Sequence, residues 1–167
     1  MADRWVINAS PVILLAKAEV IRFLPQLCQE LVIPAGVVAE VHNIHITDAG
    51  KVWLETDGNK FVQPSPAIQP ALANWRGGPG EAEVISWALH KPGFTTILDD
   101  RRARAFALRN NVAVLGSLRV VVMAKERGFI SLARPALEKL RGVGAYVSGE
   151  LIDRAIALAG ESQTHLS

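Results

Sequence analysis

The sequence predicts an α/β fold, with three α/β/α layers around a central, mostly parallel sheet. Three observations predict it. Short apolar runs such as Trp5-Val6-Ile7 and "ELVIP" do not alternate with polar residues, as expected of strands buried on both faces. Segments of helical periodicity separate these runs. Half of the 167 residues are apolar and a fifth are charged, which suits one substantial core. One domain is expected over residues 1–160, followed by a polar tail over 161–167.

Taken in order, residues 5–7 form the first strand. Ser10 caps a helix with Pro11 at its first position. A second helix is expected over 20–29, then the strand "ELVIP" closed by Pro34. Residues 35–43 read as a helix. "TDAGKVWLE" reads as another, capped by Thr47 or Asp48, and "KFVQP" as a short strand. "PSPAIQP" and "WRGGPG" are turn-forming punctuation inside the domain. The second half is more regular: a helix from Pro79 or Gly80 to His90, the strand "GFTTIL", a helix over 100–110, the strand "VAVLG", and helices near 117–127, 131–141 and 148–159.

Composition narrows the functional classes. The sequence has no apolar run long enough to span a bilayer, and no secretory leader is expected, since Asp3 and Arg4 lead directly into a strand. Cys28 is the sole cysteine and reads as a buried structural thiol, consistent with a cytoplasmic protein. The net charge of +2 conceals an asymmetry. Between Asp99 and Arg141, ten Lys and Arg face four Asp and Glu, whereas the remainder has eight against twelve. This pattern suits a phosphate-rich partner beside an acidic site, although helices solvated by scattered charges would produce it too.

In open parallel sheets, ligands bind beyond the carboxyl ends of the strands. Asn8, Asp99-Asp100 and Ser117 fall at such ends. Each is also a common helix cap, and for Asp100 the cap is the simpler reading. Asp99 and Asp100 repel, and one cap needs only one of them, so Asp99 asks for another partner. On the helix that opens at "GPGE", Glu81 falls within the apolar stripe and Glu83 on the outer face. A carboxylate aimed at a core is costly unless it is paired or bound to metal, so Glu81 is a candidate site residue and Glu83 a surface one. Glu40 borders the apolar face of its helix, where a site role and a structural ion pair are both open. His42 and His45 have helical spacing but no third soft ligand, which argues against zinc. Trp87 is placed on the outer face of its helix, available to a dimer interface. Trp53 and Trp75 are left open between core and surface.

The ordered set "VINASPVILLAK", "VIPAGVVAEV", "GPGEAEVISWAL", "ILDDRRARAFAL" and "GSLRVVVMAKERGFI" resembles the PIN-domain family, in a branch similar to VapC-type toxin nucleases. The resemblance covers residues 4–145. It implies a PIN-like fold and Mg²⁺- or Mn²⁺-dependent cleavage of RNA by an acidic cluster. Asn8 matches the first acidic position, Glu40 the second, Glu81 the third and Asp99 the fourth, with Asp100 sharing the last role. Asn8 departs from the usual aspartate, so activity is expected to be attenuated. Ser10 and Ser117 match small hydroxyl positions beside the cluster. Arg101, Arg102 and Arg104, with Arg109, Arg119, Lys125 and Arg127, would contact backbone phosphates. RNA, an antitoxin protein and a second copy of the chain are the implied partners. Two further readings stay open: a PIN-like module that binds RNA or a protein without cutting, and a small-molecule phosphohydrolase. The last is disfavoured because no nucleophile has an adjacent base.

Overall fold

The structure is a computed structural model, and it describes residues 3–44, 48–144 and 147–161. Five parallel strands form one sheet in the order β3-β2-β1-β4-β5: β1 (Arg4–Ile7), β2 (Glu30–Pro34), β3 (Val62–Gln63), β4 (Phe94–Ile97) and β5 (Val114–Leu115). The helices on its two faces are α1 (Ala9–Lys17), α2 (Leu24–Leu27), α3 (Ala35–His42), α4 (Ala49–Glu55), α5 (Pro79–His90), α6 (Arg101–Arg109), α7 (Ser117–Glu126), α8 (Arg134–Glu138) and α9 (Gly149–Leu158). This is the three-layer α/β/α arrangement expected from the sequence. Among the described residues, no helix is long and apolar enough to cross a membrane.

The central strands are buried because they are apolar on both faces: Trp5, Val6, Ile7, Ile33 and Ile97 expose almost nothing. Register aligns the carboxyl ends of the strands. Ile7 pairs with Ile97, and Ile97 with Leu115. The strand order reverses at β1, whose neighbours are β2 on one side and β4 on the other. The crevice at such a reversal is where parallel sheets hold ligands, and it lies beyond Ile7 and Ile97.

Several sequence expectations are corrected. The helix expected over 20–29 is a 3-10 turn, Ile21–Phe23, followed by one α-helical turn, α2. Pro25 falls inside the expected span, where it has no amide to donate and its ring crowds the preceding turn; it is accommodated only in the first turn of α2, so one continuous helix cannot form. Cys28 therefore lies in extended backbone after α2, where burial pushes its thiol up to about 12. The first helix starts at Ala9 with Asn8, not Ser10, at the cap position. Asp48 caps α4 by accepting from the Gly50 amide at 2.6 Å; Thr47, the alternative cap, is outside the described residues, as is His45. β3, β5 and α8 are shorter than their sequence patterns suggested.

Trp87 is not an exposed interface residue: 8% of it is accessible. α5 is covered more widely than one apolar stripe implies. Phe94 meets Trp87 edge-on at 6.1 Å, and Lys91 lies over its ring. The proline-rich segment before α5 is strapped to it, with Gln69 N donating to Ser86 Oγ and the His90 ring within hydrogen-bond distance of Ala67 O. Glu83 is likewise half-buried, and its carboxylate lies against Gly36. Trp53 belongs to the core, stacked near Phe61. His42 faces Glu55 at 3.7 Å.

Glu161 closes the described chain. Its carboxylate accepts from the Ala133 and Arg134 amides at the start of α8 and meets Lys125 at 3.0 Å. The tail expected from 161 on lies, from residue 162, outside the described residues. Burial opposes ionisation of Glu161, but the two amides and Lys125 outweigh it and hold the carboxyl below its ordinary value. A lowered folded pKa stabilises above the unfolded value of about 4.3 and loses that contribution as pH falls through the folded value. Glu161→Gln is expected to cost about 1–2 kcal/mol at neutral pH and to shrink the loss of stability below pH 4, as read by urea melts across pH.

Candidate functional site at the carboxyl edge of the sheet

Asn8 is the last residue held by the sheet, with its amide donating to Ile97 O at 3.2 Å. Its backbone is extended, and its side chain makes no cap hydrogen bond to α1 although it occupies the cap position. The residue is 5% exposed, and Oδ1 is buried without a hydrogen-bond partner among the described residues. Buried acceptors are nearly always satisfied, so this oxygen calls for an explanation. It lines a cleft of about 490 Å³ together with Ser10, Glu40, Gly78 and Glu81.

The two glutamates reach that cleft from different helices. Glu40, on α3, accepts from the Gly80 amide at 2.6 Å through Oε1. Glu81, in the first turn of α5, accepts from the Gly78 amide at 3.0 Å through Oε2. Both therefore serve free amides at the α5 N-terminus, where negative charge is favoured. In each case this hydrogen bond engages one oxygen. Burial raises the Glu81 pKa; the Gly78 amide opposes that, and the charges of Asp100 and Glu40 add to it. The acids are thus close enough to feel one another, as expected of an acidic cluster that lacks a cation.

Gly80 makes the contact with Glu40 sterically specific. A Cβ there would stand 2.8 Å from Glu40 Oε1 and 2.9 Å from Oε2. Gly80→Ala is expected to push the carboxylate off the Gly80 amide. Alanine's better helix propensity, about 0.5–1 kcal/mol, offsets the lost hydrogen bond, so the melting temperature should change little. Binding of Mn²⁺ in the cleft, read by calorimetric titration, should weaken about tenfold or more. A variant that binds as wild type does would show that the position of Glu40 does not matter.

Asp99 does not line this cleft. It lies two residues beyond Ile97, the aligned end of β4, and turns toward α7. Oδ1 accepts from the Ser117 amide at 2.8 Å, and Oδ2 from the Ser117 hydroxyl at 2.6 Å. Burial raises its pKa, opposed by the two Ser117 bonds and by Arg104. Ser117 is fully buried, with its hydroxyl given to Asp99, so it holds Asp99 and offers substrate no free surface. Asp100 caps α6 by accepting from Ala103 N at 2.8 Å, the simpler of its two sequence readings. It sits with Glu81 in a second cleft, also lined by Trp75, Arg101 and Arg102. Arg104 lines a third, with Asp99, and its guanidinium donates to Leu98 O at 2.9 Å.

The structure therefore brings Asn8, Ser10, Glu40 and Glu81 together, places Asp100 next to Glu81, and turns Asp99 away with Ser117 and Arg104. Among the described residues, no three His, Cys, Asp or Glu side chains converge as a ready metal site. The donor chemistry of the Asn8 cleft nevertheless fits a hard divalent cation: one orphaned amide oxygen and two carboxylates, each with one oxygen beyond its amide contact. Sequence reasoning missed the amides of Gly78 and Gly80, because backbone groups carry no residue-type signal. It also missed Arg76 and Trp75, which the "WRGGPG" turn brings beside Glu81.

A family model described as a PIN domain matches residues 4–161. No curated protein and no solved structure matches the chain. PIN domains are generally nucleases that act on nucleic acid with divalent metal ions, and the acidic groups at this sheet edge stand where parallel sheets place their sites. By its fold and by a match over nearly its whole length, the chain belongs to the PIN-domain family.

Proposed function

We propose that the protein is an attenuated metal-dependent endoribonuclease, similar to the VapC-like toxins, using Mg²⁺ or Mn²⁺. The observation that carries this reading is the buried Asn8 Oδ1, without a partner among the described residues, in one cleft with Glu40 and Glu81. Asn8, Glu40 and Glu81 would hold the cation, which supplies an acidified water and charge stabilisation when bound. Asp100, beside Glu81, completes the acidic rim. Asp99, held by Ser117, contributes negative potential from the neighbouring side of the sheet edge. With Asn8 the site carries one negative charge less than an aspartate would give it, which weakens cation binding. A cytoplasmic location, a protein antitoxin and a homodimer belong to the same proposal, but the burial of Trp87 removes it as a dimer contact.

One feature favours the second reading, a PIN module that binds without cutting: Glu40 and Glu81 are already engaged by α5 amides. A single experiment separates the two. Fluorescent single-stranded RNA is incubated with the protein and Mn²⁺, with EDTA and Glu81→Gln as controls. Mn²⁺-dependent products lost in both controls support the nuclease. RNA binding without products supports the module.

A further inference from the structure

The chain has twelve arginines, and most are committed within the protein. Arg119 pairs with Glu126, Arg141 with Glu138 and Asp153, and Arg154 with Glu150; Arg104 donates to Leu98 O. Arg4, Arg127 and Arg134 have similar partners, and Arg22 lies over Phe23. The remaining four are Arg76, Arg101, Arg102 and Arg109. Among the described residues these four make no ion pair and donate no side-chain hydrogen bond. All four line the same cleft of about 710 Å³, between the 75–78 turn and α6. Scattered solvation of a helix face does not explain why the uncommitted arginines collect in one place and the committed ones elsewhere. The four guanidinium groups share the cleft with two carboxylates, Glu81 and Asp100, which leaves a positive surplus that an external polyanion offsets. The guanidinium fork matches phosphate oxygens in particular.

The cleft also has an aromatic wall. Trp75 is half-buried and anchored: Nε1 donates to Gly78 O at 3.3 Å, and Phe106 of α6 meets it edge-on at 5.2 Å. An anchored indole beside arginines is the combination that binds single-stranded nucleic acid, where bases stack and phosphates pair. Gly78 and Glu81 line both this cleft and the Asn8 cleft, so the two adjoin.

We propose that this cleft seats the strand flanking the cleaved bond, with Arg76, Arg101, Arg102 and Arg109 on successive phosphates of a single-stranded nucleic acid and Trp75 against an unpaired base. The proposal extends the nuclease reading by assigning its strand path, and it takes Arg104 out of that path. The test is equilibrium binding of a fluorescein-labelled single-stranded oligoribonucleotide in EDTA, followed by anisotropy across a salt series. The quadruple variant Arg76→Ala/Arg101→Ala/Arg102→Ala/Arg109→Ala should bind at least about 30-fold more weakly and lose roughly two to three units of salt slope, with an unchanged melting temperature. Trp75→Leu should weaken the oligonucleotide about fivefold or more without weakening inorganic tripolyphosphate. The charge-removing control Arg22→Ala/Lys60→Ala, on exposed residues away from the cleft, should stay within about twofold of wild type. Quadruple-variant binding within twofold of wild type overturns the proposal. So does equal competition by poly-glutamate of matched charge, which would assign the cleft to an acidic protein. Because binding is measured without metal, a protein that binds as described but fails to cut with Mn²⁺ refutes the nuclease reading and leaves the strand path standing. A protein that cuts but binds independently of the four arginines refutes the strand path alone.

Discussion

Asn8→Asp is expected to bind Mn²⁺ at least about tenfold more tightly than wild type, to cleave RNA faster, and to melt earlier without metal. Oδ1 of Asn8 is buried and makes no hydrogen bond among the described residues, so none of them would neutralise a charge placed there. The new carboxylate would join Glu40 and Glu81, where burial and mutual repulsion already raise the Glu81 pKa. The cost without metal should be about 2 kcal/mol, or roughly 4–8 °C in melting temperature for a chain of this size. A cation reverses the sign. An added charge a few ångströms away contributes more than the 1.4 kcal/mol that a tenfold change in affinity requires, and Mn²⁺ should recover the lost melting temperature through linkage. Calorimetric Mn²⁺ titration and paired melts check both halves. If wild type and variant bind metal equally and melt alike in both conditions, Asn8 has no metal role.

Glu40→Gln should abolish most activity while leaving the fold in place. Glutamine retains an oxygen that can accept from the Gly80 amide, so the α5 N-terminus stays capped, and the melting temperature should move by no more than about 2 °C. The substitution removes the charge a cation needs. A fall in Mn²⁺-dependent cleavage of about 100-fold or more is expected, together with weaker Mn²⁺ binding. The informative comparison is Glu83→Gln. Glu83 is also a half-buried carboxylate on α5, but it packs against Gly36, outside the acidic cleft, and its activity should stay within about twofold of wild type. Equal losses at both positions would mean that the cleft responds to helix electrostatics in general, and Glu40 would lose its site role.

Much of the candidate site's placement was legible because strand ends and helix stripes are local properties. Period and apolarity placed Asn8 at the end of β1, Glu81 toward the core side of the first turn of α5, and Glu40 at the border of α3. None of these inferences needs knowledge of a neighbouring element. The repulsion between Asp99 and Asp100 likewise showed, from adjacency alone, that one of them would cap and the other would seek a partner.

The sequence by itself determined the layered α/β architecture, because apolar runs without alternation can be buried only between two helical layers, and the candidate acids, because carboxylates near a core demand a partner wherever they fall. Only the tertiary structure decided which partner each one has. Ser117 is eighteen residues from Asp99, and Gly80 is forty from Glu40, so those hydrogen bonds depend on how β5 and α5 dock, which no periodicity encodes. The same holds for the arginines. Arg101, Arg102 and Arg104 look alike on one helix, yet Arg104 turns to Leu98 O beside Asp99 while Arg101 and Arg102 stay uncommitted beside Arg76 and Trp75. A side chain's commitments are set by the groups that packing brings within about 3 Å of it, and that is a property of the fold rather than of the helix.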